Sequence, residues 1–209
     1  MPNNIQQIEP PVIGRAPQAY TPGAHDTMVN TLRLFFNRIT AWLGIAAGVD
    51  SGARIFYFPY ASFYDTTTQT VAVVNTAYPI TFDTMRMASA DVSLVSSSRI
   101  TCQYGGVYRV QALASVGTAS ASGNNVEIWV NVSGTEVDYT AVRTRVRAGF
   151  NYGGVDTSVL VEPGGYIELW WRAAHLDFRL ERVAPIAAGV GKRPGVPSIT
   201  VTVGYMSNG

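Results

Sequence analysis

One cysteine, two histidines and a short glycine-lysine run are the residues of this 209-residue chain best suited to chemistry. Cys102 shares a predicted strand face with Ile100, where a thiol acts as a small hydrophobe unless a base and an orienting group adjoin it. His25 and His175 stand in no recognisable motif, and without His-x-x-x-His or cysteine-rich spacing they do not support zinc. The scattered Asp and Glu residues show no calcium-loop spacing. Gly189-Val190-Gly191-Lys192-Arg193 imitates a phosphate-binding loop, but Ile186 stands where the first glycine belongs and Arg193 follows the lysine. Pro185, Pro194 and Pro197 also prevent the helix whose N-terminus would hold the phosphate. Asn131-Val132-Ser133 fits a glycosylation sequon, which is chance in a chain without a secretory signal. No catalytic, metal-ligating or cofactor-binding residue is assigned, and no cofactor is expected.

Two other groups suggest binding. Alternation projects Arg143, Arg145 and Arg147 from one strand face, where three like charges repel unless carboxylates or an external anion answer them. Glu127, Glu136 or Asp138 can do so, and an acidic glycan is the alternative. Trp129 and Trp170 fall on the polar faces of their strands. Large aromatics there mark a subunit interface or a ligand platform, unless a loop or helix covers them.

The elements that must position these residues read in three parts. Residues 1–24 carry Pro2, Pro10, Pro11, Pro17 and Pro22 among Asn, Gln and Gly, which predicts an extended arm. Its spaced apolar residues Ile5, Ile8, Val12, Ile13 and Tyr20 suit docking on a partner. Residues 25–47 hold a helix capped by Asp26 or Thr27 and stopped near Gly44. Its apolar face is Met28, Leu32, Phe35, Ile39 and Trp42, beside a second row of Val29, Phe36 and Leu43. Two heptads are too few for an independent coiled coil, so the helix packs on its own domain or in a short bundle.

Over residues 54–209 the period changes to 2, with turn clusters between runs. Tyr108, Val110, Ala112, Ala114 and Val116 alternate against Arg109, Gln111 and Ser115. Val126, Ile128, Val130 and Val132 alternate against Glu127, Trp129 and Asn131. Further runs lie at 167–171, 176–180 and 199–205, with weaker strands at 56–63, 69–74, 78–82, 99–102 and 142–146. About ten strands suit a two-sheet sandwich or jelly roll.

Composition narrows the functions. Charged residues make up only 14% and hydrophobic ones 47%, so much of the surface is neutral and expects partners. With 15 basic against 14 acidic residues there is no global field to attract nucleic acid or an anionic membrane. No apolar run approaches the ~20 residues that cross a bilayer. The single cysteine excludes an intrachain disulfide, and no signal peptide is recognised, which predicts a protein made in a reducing cytoplasm.

The order of motifs carries a resemblance. Ala61-Ser62-Phe63, Tyr78-Pro79-Ile80-Thr81-Phe82, and Arg99-Ile100-Thr101 leading through Gly105-Gly106-Val107-Tyr108 come first. Val126-Glu127-Ile128-Trp129-Val130-Asn131, then Glu162-Pro163-Gly164-Gly165 into Tyr166-Ile167-Glu168-Leu169, and a closing Ser198-Ile199-Thr200-Val201-Thr202-Val203 follow. From about 55 to 206 the chain resembles the trimeric jelly roll of the complement and tumour-necrosis-factor type found in tailed-bacteriophage virion proteins. It departs from the family at Gly164-Gly165, where Gly-Asp is usual. Thr31-Leu32-Arg33-Leu34-Phe35-Phe36-Asn37-Arg38 is similar to helical segments near the N-terminus of other phage structural proteins.

The resemblance implies a homotrimer whose inner sheets meet on a three-fold axis, and no catalysis. The expectation is therefore a mainly β chain, an antiparallel jelly-roll sandwich preceded by an extended arm and one α-helix. Its expected role is a virion surface projection, a head fibre or decoration protein, assembled in the host cytoplasm and docked on other virion proteins. A tail fibre or receptor-binding protein uses the same parts, and a host surface glycan is then a further partner. A non-viral carbohydrate-binding module and, third, an enzyme acting on host polysaccharide are the competing classes.

Overall fold

The computed structural model describes residues 22–47, 58–119, 123–187 and 192–207, and helix side chains from Asp26 to Thr40. The arm residues Ile5, Ile8, Val12, Ile13 and Tyr20 lie outside the described residues. The chain divides into two compact units, Met1–Tyr57 and Phe58–Gly209.

The first unit holds α1 (Pro22–Ala47). It begins four residues before the predicted cap, because a proline's fixed φ suits the first helical position, where its missing N–H costs nothing. It also runs through Gly44, since an interior glycine weakens a helix by only ~1 kcal/mol and need not end it. Leu32, Phe35 and Ile39 are half-buried, whereas Met28, Val29, Leu34 and Phe36 are exposed. Trp42 lies in the helix, its side chain outside the described ones.

The second unit is an antiparallel β-sandwich. In chain order its strands are β1 (Tyr60–Asp65), β2 (Gln69–Thr70), β3 (Tyr78–Pro79), β4 (Thr84–Ala88), β5 (Val92–Val95), β6 (Arg99–Cys102) and β7 (Gly106–Thr118). They continue with β8 (Asn124–Val132), β9 (Thr135–Glu136), β10 (Val142–Val146), β11 (Gly149–Val161), β12 (Tyr166–Ala173), β13 (Arg179–Leu180) and β14 (Ile199–Ser207). The first sheet runs β4-β1-β14-β7-β11, with β13 and β2 continuing beside the far end of β7. The second runs β5-β6-β12-β8-β10, with β3 on β12 and β9 on β8. From β6 onward each long strand lies in the opposite sheet to its predecessor, apart from the β8–β10 pair, an order compatible with a jelly roll. The links from β4 to β5 and from β10 to β11 join edge strand to edge strand, so the chain itself bridges both sides of the sandwich.

Alternation decides what fills the space between the sheets. Phe63, Tyr108, Val110, Ile100, Ile128, Ile167, Leu169, Trp171, Phe178 and Leu180 are all buried there, each contributing ~1.5–3 kcal/mol relative to exposure. Tyr108 and Tyr205 meet edge to face with centroids 5.3 Å apart. The buried Asp65 carboxylate accepts hydrogen bonds from Thr67, Gln69 and Thr81, which ties the end of β1 to the neighbouring loops without a cation. At the β8–β9 turn both Ser133 (φ 50°) and Gly134 (φ 84°) are left-handed, the backbone a two-residue hairpin requires. The sequon serine is therefore a turn residue.

Several predicted strands are shorter than their apolar runs. Only Arg179–Leu180 pairs in the 176–180 run, leaving Leu176 exposed, and only Gln69–Thr70 pairs in 69–74. The alternation pattern does not mark β4, β5, β9 or β11, and β11 is one of the two longest.

Candidate functional site

The sandwich has two outward faces of different chemistry. On the second sheet, β8 turns Glu127, Trp129 and Asn131 outward, and β12 turns Tyr166, Glu168, Trp170 and Arg172 the same way. Register sets Trp129 opposite Trp170, Asn131 opposite Glu168 and Glu127 opposite Arg172. On β10, Arg143 faces Glu127 and Arg145 faces Asn125. The structure thus brings Trp129, Trp170, Arg143 and Arg145 onto one surface, while Arg147 lies past the end of β10.

Glu127 is the centre of one half of this face. Its carboxylate accepts from Arg143 at 2.5 Å through one oxygen and from Arg172 through the other. The hydrogen bond from Arg172, and then that from Arg143, holds its pKa below the ordinary glutamate value. These three side chains, with Asn75, Asn125 and Ala174, line a cavity of about 170 Å³. Arg145 has no carboxylate partner among the described residues.

The other half is drier. Glu168 is almost fully buried, and its carboxylate accepts from Ser98 Oγ at 3.1 Å, Arg99 Nε at 3.3 Å and Trp170 Nε1 at 3.4 Å. Arg99 also lies over the Tyr166 ring, 4.6 Å from its centroid. Trp129 is only 8% exposed although it points outward, and its Nε1 and the Oδ1 of Asn131 are buried with no hydrogen-bond partner among the described residues. Its neighbour Trp170 is half-buried and presents the more accessible indole.

The outward face of the first sheet is apolar. Leu113 on β7 and Phe150, Tyr152 and Leu160 on β11 are each more than half exposed, joined by Met206 on β14 and by Met87 and Tyr60. Register groups them at the two ends of the face: Leu113 stands opposite Gly154, diagonal to Tyr152, at one end, and Leu160 stands opposite Val107 near Met206 at the other, with Met87 opposite Ser62 on the edge strand. On β1, β7, β11 and β14 the outward positions carry only two charges, Arg109 and Asp156. These neutralise each other in a two-point pair of 2.9 and 2.8 Å, with Gln111 donating to the same carboxylate at 3.0 Å. The sequence pattern had singled out Arg109, Gln111 and Ser115 but not Leu113, and it missed the aromatic residues of β11. The available signal was the spacing of Val155, Val159 and Val161, diluted by Gly149, Gly153 and Gly154.

Elsewhere the chemistry-bearing residues are structural. Burial pushes the Cys102 thiol up to about 12, so no thiolate is available near neutrality. His175 pairs with Asp177 at 3.4 Å on the surface. Among the described residues no group of three or more His, Cys, Asp or Glu side chains could hold a metal, and no helix is long and apolar enough to cross a membrane. The lysine of the phosphate-loop imitation is exposed, and Ile186 and Arg193 pair as an isolated bridge at its base. Compared with known proteins, the chain matches no family model and no curated protein.

Proposed function

We propose that this chain is a structural protein of a tailed-bacteriophage virion, a homotrimeric surface projection such as a head fibre or decoration protein, anchored to the particle by its N-terminal arm and helix. The observation that carries the reading is the outward face of the first sheet. Leu113, Phe150, Tyr152, Leu160 and Met206 are exposed on a face whose central strands carry only two charges, which cancel, with a second ion pair, Arg179–Glu181, beside Phe150 and Arg86 at the β4 edge, a composition closer to an interface core than to a wetted surface. A second and third copy of the same chain are the occupants that the resemblance to the complement and tumour-necrosis-factor jelly roll implies, and the antiparallel sandwich is compatible with that fold. The exposed Met28, Val29, Leu34 and Phe36 of α1 favour a helix bundle in the trimer. On this reading the chain performs no catalysis.

A second reading, a tail fibre or receptor-binding protein, is favoured by the tryptophan and arginine face of the second sheet. It shares the trimer and differs in copy number. Light scattering of the full chain is expected to give three chains per particle in solution, and a monomer at micromolar concentration would remove the main support. Mass spectrometry of purified virions then separates an abundant decoration protein from a rare tail fibre. A chain lacking residues 1–47 should still fold as the sandwich unit but no longer join the particle. Its incorporation at the normal copy number would move the docking surface onto the sandwich.

A further inference from the structure

We infer that the outward face of the second sheet is a binding site for an acidic saccharide, whose carboxylate is held at the Arg143–Arg172 end and whose ring stacks on Trp170. Three observations on this face converge.

The first is surplus positive charge at a preformed cavity. Arg143 and Arg172 both spend donors on Glu127, which can neutralise one of them. Arg145 stands opposite Asn125, a residue of the cavity wall, and meets no carboxylate among the described residues. A guanidinium offers five N–H donors in a planar fork, so these arginines keep unused donors suited to a carboxylate's two oxygens. The side chains of Arg143 and Arg172 are 65% and 46% exposed, so a ligand can reach them.

The second is the kind of group that completes the wall. Asn75 and Asn125 also line it, and an asparagine side-chain amide can both donate to and accept from hydroxyl groups. At about 170 Å³ the cavity is well below the ~300 Å³ of sites that enclose a drug-sized ligand, so it takes one polar edge of a molecule.

The third is where the rest of that molecule would lie. Trp170 is two residues from Arg172 on the same strand face, a step of ~7 Å, about the span of a sugar ring. Its Nε1 donates to Glu168, itself held by Ser98 and Arg99, so the indole is fixed before a ligand arrives. A pyranose needs this combination: an apolar C–H face for an aromatic ring, and hydroxyls and a carboxylate for amides and arginines. Glu127 gives specificity by repelling ligands whose acid is misplaced.

The site lies within one chain, so it stands apart from the trimer reading. A trimer that binds no acidic sugar fails this inference alone, and a monomer that binds one fails the assembly reading alone.

The test is a titration of the full-length protein, following the indole N–H resonance of Trp170. The probes are the methyl glycosides of glucuronate, galacturonate and N-acetylneuraminate, each beside its carboxyl methyl ester. At least one acid should shift the resonance saturably, with its ester about tenfold or more weaker, the loss expected for one charge-assisted contact. Arg172→Gln and Arg143→Gln should weaken the acid by a similar factor. Glu127→Gln should tighten it several-fold, because it frees both guanidinium groups, and this gain is what loss of folding cannot imitate. Saturation by none of the acids, equal binding of acid and ester, weaker binding by Glu127→Gln, or inorganic phosphate binding as tightly as the best sugar would each overturn the inference.

Discussion

The two outward faces of the sandwich are built from the same alternation, yet they are prepared for different neighbours. The first-sheet face exposes Leu113, Phe150, Tyr152 and Leu160, and its charges on β7, β11 and β13 are held in the self-cancelling pairs Arg109–Asp156 and Arg179–Glu181. The second-sheet face holds Glu127, Glu168, Arg99, Arg143, Arg145 and Arg172 around two indoles, with its carboxylates already saturated by donors. Apolar area left in water gains ~25 cal/mol per Å² when a partner covers it, whereas charged groups lose hydration when covered. The first face therefore suits a permanent interface, and the second a wetted surface that admits a small ligand.

Placing charge on the first face should break the difference most completely. If the proposed trimer forms on this face, Leu113→Asp combined with Phe150→Asp is expected to give a monomer by light scattering, with the β-sheet circular dichroism unchanged. Arg145→Ser on the other face should leave the trimer intact. Dissociation by Arg145→Ser, and not by the aspartate pair, would exchange the roles of the two faces.

Two adjacent tryptophans on β12 sharpen the contrast between inside and outside. Trp171 fills the core and Trp170 lies on the wetted face. Trp171→Ala should cost ~3–5 kcal/mol of unfolding free energy. Trp170→Ala should cost less, about 1–2 kcal/mol, chiefly through the hydrogen bond that its Nε1 gives the buried Glu168. Comparable losses in urea titrations would mean that Trp170 is covered as tightly as the core.

Much of this was legible in the residue order. Strict alternation in β7, β8, β12 and β14 sorted inward from outward residues, because one face of a half-buried strand must be apolar. β11 escaped because Gly149, Gly153 and Gly154 dilute its pattern, and it is held by thirteen-residue pairing with β7, a non-local cause. The site was half legible. Position on the polar faces marked Trp129, Trp170 and the arginines, but not that Arg143 and Arg172 would share one glutamate, a pairing set by the register of three strands. Nor did spacing reveal that Trp129 would be buried on the outward side.

The smallest expected effect concerns the Arg109–Asp156 pair on the apolar face. Hydrogen bonds from Arg109, and then from Gln111, lower the Asp156 pKa to about 2. A carboxylate whose folded pKa lies below its unfolded value of ~3.9 stabilises the folded state fully above that value, and the contribution fades as pH falls toward about 2. On an open surface such a pair is screened by solvent and contributes little. Covered by a neighbouring copy, the same pair is desolvated, and protonating Asp156 leaves the Arg109 charge unanswered inside the interface. Trimer dissociation measured by sedimentation should therefore rise between about pH 4 and pH 2, and Asp156→Asn should already be weakened at neutral pH and lose that part of the acid response. In the monomeric Leu113→Asp, Phe150→Asp background the same substitution should change stability hardly at all. An equal effect of Asp156→Asn in monomer and trimer would place Arg109 and Asp156 outside the interface, leaving only the ends of the apolar face to be covered.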